Sequence, residues 1–152
     1  MTPNRPLLLA AWLALFAVSP AGAQRTHIGF HGGYNFDSED GLIGAQLQLP
    51  VGRLIEFYPS FDYYFTDVGT LVGFNVDLKL RNPGRRSVVY AGGGLNILSA
   101  SGGGASDTNT GGNVFLGLET RLGITHPYFE ARVLLHDQSS LQLVAGLNLT
   151  LF

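Results

Sequence analysis

Five consecutive residues, His136-Asp137-Gln138-Ser139-Ser140, hold the residue types of a hydrolase triad. The chemistry would be attack by a serine hydroxyl, with the histidine as base and the aspartate orienting it. That chemistry needs the base within hydrogen-bond reach of the nucleophile and a third group holding the base. Adjacency in sequence does not supply this geometry, and a polar turn accounts for the same residues. Four histidines, His27, His31, His126 and His136, raise metal binding as a second possibility. His27 and His31 face the same way on one extended segment. At about 3.3 Å per residue they lie about 13 Å apart. Two imidazoles on one zinc need nitrogens about 2.0–2.1 Å from the ion, so a shared site is not expected. His126 and His136 fall near opposite ends of another segment. Cysteine is absent, which removes thiol zinc sites and disulfides. The glycine triplets at 92–94 and 102–104 lack the Lys-Ser/Thr of a phosphate loop. No catalytic residue, cofactor or metal is expected from these patterns.

The elements that must carry these residues are read from both ends of the chain. Residues 1–23 form an export signal. Arg5 is its one charge, Leu7 to Val18 is its apolar run, and Ser19-Pro20-Ala21-Gly22-Ala23 supplies small residues for cleavage before Gln24. The run is too short for a spanning helix, which needs about 20 residues. Residues 24–152 then form one domain. They hold eight of the nine Lys and Arg and all eleven Asp and Glu, a net charge of −3. That balance is no footprint for nucleic acid. No segment after the signal has the continuous apolarity of a spanning helix, so a membrane span would have to be made of strands.

Period-two alternation runs almost from end to end. It predicts eight strands, over 26–36, 40–50, 54–65, 69–81, 86–98, 112–122, 125–135 and 139–152. Each has the 9–11 residues that a tilted strand needs to cross a bilayer. The second, fourth and sixth connections are tight and carry Arg53, Arg85 and Arg86. The other four are polar and acidic, with Asp37, Glu39, Asp67, Asp107 and Asp137 and no Lys or Arg. The fifth, from Ser99 to Gly111, is the only long one. Its composition cannot bury enough apolar surface to order itself, so a mobile loop is expected.

The two faces of the strands differ. One is apolar: Phe57, Phe61 and Phe65 in the third strand, Val72 to Leu80 in the fourth, Leu141 to Leu151 in the eighth. The other carries Glu56, Asp62, Asp77, Lys79, Arg81, Glu119, Arg121, Glu130 and Arg132. An eight-stranded barrel has an interior just wide enough for side chains to fill it. With the charges inside, that interior is a salt-bridged plug and the apolar face points outward, which is the membrane arrangement. Glu56, Glu119 and Glu130 could serve as general acids, but the interior cations account for them more simply. Gly29, Gly33, Gly92 and Gly94 fall on the inward face and make room for longer side chains. Tyr34, Phe36, Tyr63 and Phe65 fall where an aromatic girdle would sit.

These patterns resemble the small eight-stranded outer-membrane barrels that include the outer membrane protein A and outer membrane protein X types. The resemblance covers the whole of 24–152 and rests on strand number, charged interior and the terminal Phe152. It implies an all-β, antiparallel, up-and-down transmembrane barrel in a bacterial outer membrane. It also implies insertion by the barrel assembly machinery, which reads the last strand and its terminal aromatic. The positions in phase with Phe152 are Thr150, Asn148, Gly146 and Val144, whereas the leucines lie in the other phase. Either the last residue turns out at the rim or recognition is less stringent here. No periplasmic peptidoglycan-binding domain is expected within residues 24–152.

The expected role is non-enzymatic, structural or interactive. The expected partners are outer-membrane lipid, lipopolysaccharide or divalent cations at the acidic loops, and an external ligand the sequence does not name. The barrel is expected to be a monomer, since closure leaves no edge to cover. Two other readings are a lipid-modifying outer-membrane enzyme using His136 or Ser139, and a soluble periplasmic lipid-binding barrel. The first lacks the signature of the outer-membrane lipid A deacylases. The second lacks the Gly-x-Trp of soluble lipocalins, and the only tryptophan lies in the signal.

Overall fold

A computed structural model describes residues 25–151. The expected signal at 1–23 and Phe152 lie outside the described residues. The rest forms eight antiparallel strands: β1 (His27–Asn35), β2 (Asp40–Pro50), β3 (Ile55–Phe65), β4 (Thr70–Arg81), β5 (Ser87–Gly102), β6 (Ala105–Thr120), β7 (Thr125–Leu135) and β8 (Ser140–Thr150). Each strand pairs with its neighbours in sequence, and β1 pairs with β8 to close the barrel. The closing register runs from His27 opposite Thr150 to Asn35 opposite Gln142.

Besides Pro50 at the end of β2, two prolines stand inside strands, and the ladders record what each lacks. Proline has no N–H to donate. Pro59 points outward in β3 and pairs with Val76 of β4. On its other side the β2–β3 ladder lapses between the pairs Gln46–Ser60 and Leu49–Phe57. Pro127 pairs with Leu147 of β8, and the β6–β7 ladder stops beside it at Glu119–Tyr128.

The fifth connection differs from expectation. It is not a loop. β5 and β6 stay in register through Gly102 opposite Ala105, and only Gly103 and Gly104 turn the chain. Both have positive φ, 59° and 81°. A two-residue hairpin turn of this kind needs φ > 0 at both central positions, which glycine adopts without a steric penalty. The polar residues 105–110 are exposed strand instead of mobile coil. The hairpin stands beyond the barrel, because β6 pairs with β7 only from Gly112 onward. Connection lengths also differ less than the sequence implied. The turns at 36–39, 66–69 and 136–139 match those at 51–54 and 121–124 in length. The two ends differ in charge. One end, with the projecting hairpin, is acidic. The other, with both ends of the described segment, is basic.

The alternation resolves cleanly. Across all eight strands the outward positions are apolar residues, glycine, serine, threonine or an aromatic, and none carries a charge. Phe74, Leu78, Leu95, Leu116 and Phe129 are each about half exposed. Tyr34–Phe36 and Tyr63–Phe65 form two edge-to-face ring pairs toward the acidic end, with centroids 5.2 and 5.6 Å apart.

Candidate functional site

The inward positions fill the barrel with one connected polar network. Its basic half centres on Lys79. The ammonium lies 3.6 Å from Glu56 Oε2 and 3.6 Å from Glu119 Oε2. It also sits over the Tyr90 ring, 3.9 Å from the centroid, a cation–π arrangement that adds attraction when desolvated. Arg81 Nε lies 3.1 Å from Glu56 Oε1. Glu119 Oε2 accepts from Gln48 Nε2 and Asn148 Nδ2, at 3.2 and 2.8 Å.

The middle of the barrel centres on Arg132, which is 4% exposed. Its Nη1 donates to Asp77 Oδ2 at 2.8 Å, and Nε and Nη2 reach Glu130 Oε1 at 3.0 Å. The guanidinium lies 4.6 Å from the Phe115 ring centroid. Tyr90 and Tyr58 hydroxyls donate to Glu130 Oε2 at 3.0 and 3.5 Å. Asn113 donates to Asp77 Oδ1 at 2.8 Å. Asp62 has a different partner from the one its charge suggested. It meets His31 Nε2 at 2.7 Å and accepts from Asn75 Nδ2 at 2.9 Å, with no Lys or Arg within ion-pair distance among the described residues. His31 Nδ1 meets Gln46 Oε1, which also accepts from Tyr128.

Eight of the nine expected charged residues therefore sit in this network. Arg121 does not. β6 ends at Thr120, so Arg121 falls past the last strand residue at the basic mouth. There it reaches the Gly84 carbonyl at 3.4 Å and makes no ion pair within 4 Å with a described acid. The alternation also implied partners that charge alone did not single out. Gln46, Gln48, Asn75, Asn113 and Tyr128 share the inward phase and carry much of the hydrogen bonding.

The inward glycines are spacers. A Cβ at Gly92 would strike the Phe115 ring, and one at Gly29 would strike Asn148 and Gln46. At Gly117 a Cβ would collide with the ring and hydroxyl of Tyr90. Gly117→Ala is expected to displace Tyr90 from Glu130 and to cost about 1–3 kcal/mol through overpacking. A lower urea midpoint for unfolding in lipid would show it, and an unchanged midpoint would exclude the spacer role.

The residues with hydrolase chemistry are not assembled. His136, Asp137, Gln138 and Ser139 form the turn between β7 and β8. Among the described residues no hydrogen bond joins His136 to Ser139 or Ser140, and His136 Nε2 is buried without a partner. Ser140 Oγ instead accepts from Asn35 Nδ2 at 3.3 Å. The histidines do not converge on one site. His31 is bound to Asp62, and His27 lies beside His126 at the basic mouth, the rings tilted by 59° with centroids 4.8 Å apart. Among the described residues no cluster of three or more His, Asp or Glu is arranged to hold a metal ion.

One layer of the interior is not polar. Toward the acidic end, Leu42, Tyr64, Leu71, Leu98 and Leu134 occupy inward positions on β2, β3, β4, β5 and β7. The expected salt-bridged plug thus stops short of that mouth. It is capped by an apolar ring with a cavity of about 270 Å³ above it.

No family model matches this chain, and neither does any curated protein. Solved structures do. The N-terminal β-barrel domain of Pseudomonas aeruginosa OprF is similar at 16% identity and TM-score 0.70, over 83% of this chain and 96% of that one. Neisserial surface protein A is similar at 13% identity and TM-score 0.62, over 84% and 95%. A de novo designed transmembrane β-barrel is similar at 11% identity and TM-score 0.68, over 88% and 98%. At these identities the likeness is one of fold, the small closed barrel of eight antiparallel strands.

Proposed function

We propose that the chain is a closed outer-membrane barrel, acting through its surface rather than by catalysis or conduction. One observation carries the reading. Every charged strand residue has the inward phase, and no outward strand position is charged. A soluble barrel gains by the opposite arrangement, because apolar surface is driven out of water at about 25 cal/mol per Å². In a bilayer the same face is matched to its solvent. The acidic end faces outward in this reading and the basic end faces the periplasm, with Arg53, Arg85 and Arg86 near the inner leaflet. The projecting β5–β6 hairpin is then the part of the surface that reaches furthest. The likeness to a neisserial surface protein is consistent with such a role. Divalent cations are the natural contacts of the acidic rim and would bridge it to the phosphates of lipopolysaccharide, and the assembly machinery handles insertion.

The filled lumen gives the test. In a planar bilayer the folded protein is expected to insert without stable conductance steps. Sustained steps of a water-filled pore would overturn the closed-lumen reading. The enzymatic alternative is tested in cells that make the protein. His136→Ala and Ser139→Ala are expected to leave the lipid A profile unchanged, and a loss of any modification would reinstate catalysis.

A further inference from the structure

The acidic mouth combines two features that a lumen plug does not require. Its floor is apolar, with Tyr64, Leu71, Leu98 and Leu134 lining the cavity of about 270 Å³. Its rim is of one sign. Asp37 lines the cavity itself, and Glu39, Asp40, Asp67, Asp107 and Asp137 stand at the same end, where the sequence places no Lys or Arg. We propose that this cavity binds a small organic cation with an apolar body, of the aryl-ammonium class.

The charge pattern selects the sign of the ligand. A cleft with low-dielectric walls and charges of one sign concentrates counter-ions, and here it excludes carboxylates and phosphates. The leucines select the body. A bare metal cation gains nothing from them, whereas an aryl group removes its own surface and theirs from water. The volume lies just below the range typical of small-molecule sites. It has room for one ring with a substituted ammonium. The rim is held in place before any ligand arrives. Asn35 Oδ1 accepts from the Asp37 and Ser38 amides at 3.0 and 3.3 Å, an Asx turn. Asp37 Oδ2 in turn accepts from the Leu141 amide at 2.7 Å, tying the β1–β2 turn to β8. Such preorganisation lowers the cost of binding. The side of the membrane from which the ligand enters rests on the orientation proposed above, but the site itself does not.

The test titrates benzyltrimethylammonium into the full chain in lipid nanodiscs and follows leucine methyl resonances. Saturable shifts are expected at Leu71, Leu98 and Leu134, and benzoate is expected to cause none. Leu98→Asn and, separately, Leu71→Asn are expected to weaken binding on the order of tenfold or more, the scale of a lost apolar contact in a pocket. A retained fast-migrating unboiled band shows that each variant is folded. That check also separates failure of this site from failure of the barrel itself. Shifts confined to the acidic turns, and equally produced by magnesium, would mean counter-ion binding at the rim and would overturn the proposal. So would equal binding of benzoate, or full affinity in both folded variants.

Discussion

Arg132→Met is expected to destabilise the folded barrel by about 3–5 kcal/mol, the cost of leaving buried charges unpaired. Asp77 and Glu130 are both 1% exposed, and Arg132 is the cation that touches each of them. Neutral donors remain, Asn113 on Asp77 and Tyr90 on Glu130, but neither carries compensating charge. Methionine keeps most of the volume, so the loss reads out charge and not cavity. Arg132→Lys is expected to recover only part of it, because a point charge cannot span two carboxylates as the planar guanidinium does. The triple variant Arg132→Met, Asp77→Asn, Glu130→Gln is expected to recover most of it. Urea unfolding in lipid vesicles measures all three. A loss below about 1 kcal/mol, the scale of an exposed ion pair, would show that the interior is hydrated and the network dispensable.

Val76→Arg carries the second large effect, from the other face. Val76 lies midway along β4, points outward and is 46% exposed. In water an exposed valine-to-arginine change is close to neutral. At the midplane of a bilayer it costs about 2–4 kcal/mol, falling to about 0–1 near the interfaces. Thr70, the first residue of β4 at the acidic end, is the matched rim position. The difference between Val76→Arg and Thr70→Arg, measured by unfolding from vesicles, is the expected signature. Equal small costs at both sites would mean that this face meets water.

Much of this was legible in the alternation, and the reason is physical. A strand has a period of two, so Glu56, Asp77, Lys79 and Arg132 declare one face and Phe57, Val76 and Val133 the other. Closure of the barrel then brings Lys79 of β4 to Glu119 of β6 and Arg132 of β7 to Asp77 of β4. Alternation gives the face, but not which acid meets which base across the lumen. That is why Asp62 turned out to sit on His31, and why Arg121 fell outside the network once β6 ended at Thr120. The long polar stretch misled for a different reason. Its composition cannot bury apolar surface, yet β-pairing needs only backbone partners, and Gly103-Gly104 supplies the turn that brings them together. The apolar ring was hidden because Leu42, Leu71, Leu98 and Leu134 occupy inward positions that the charge pattern had marked as polar.

The apolar face of the closed barrel belongs in the lipid of a bacterial outer membrane. The most direct measurement is heat-modifiability on an SDS gel of the protein in isolated outer membranes. Extraction is expected to need detergent, and the unboiled and boiled samples to migrate at different positions. A single band, recovered from a freely soluble periplasmic fraction, would contradict it.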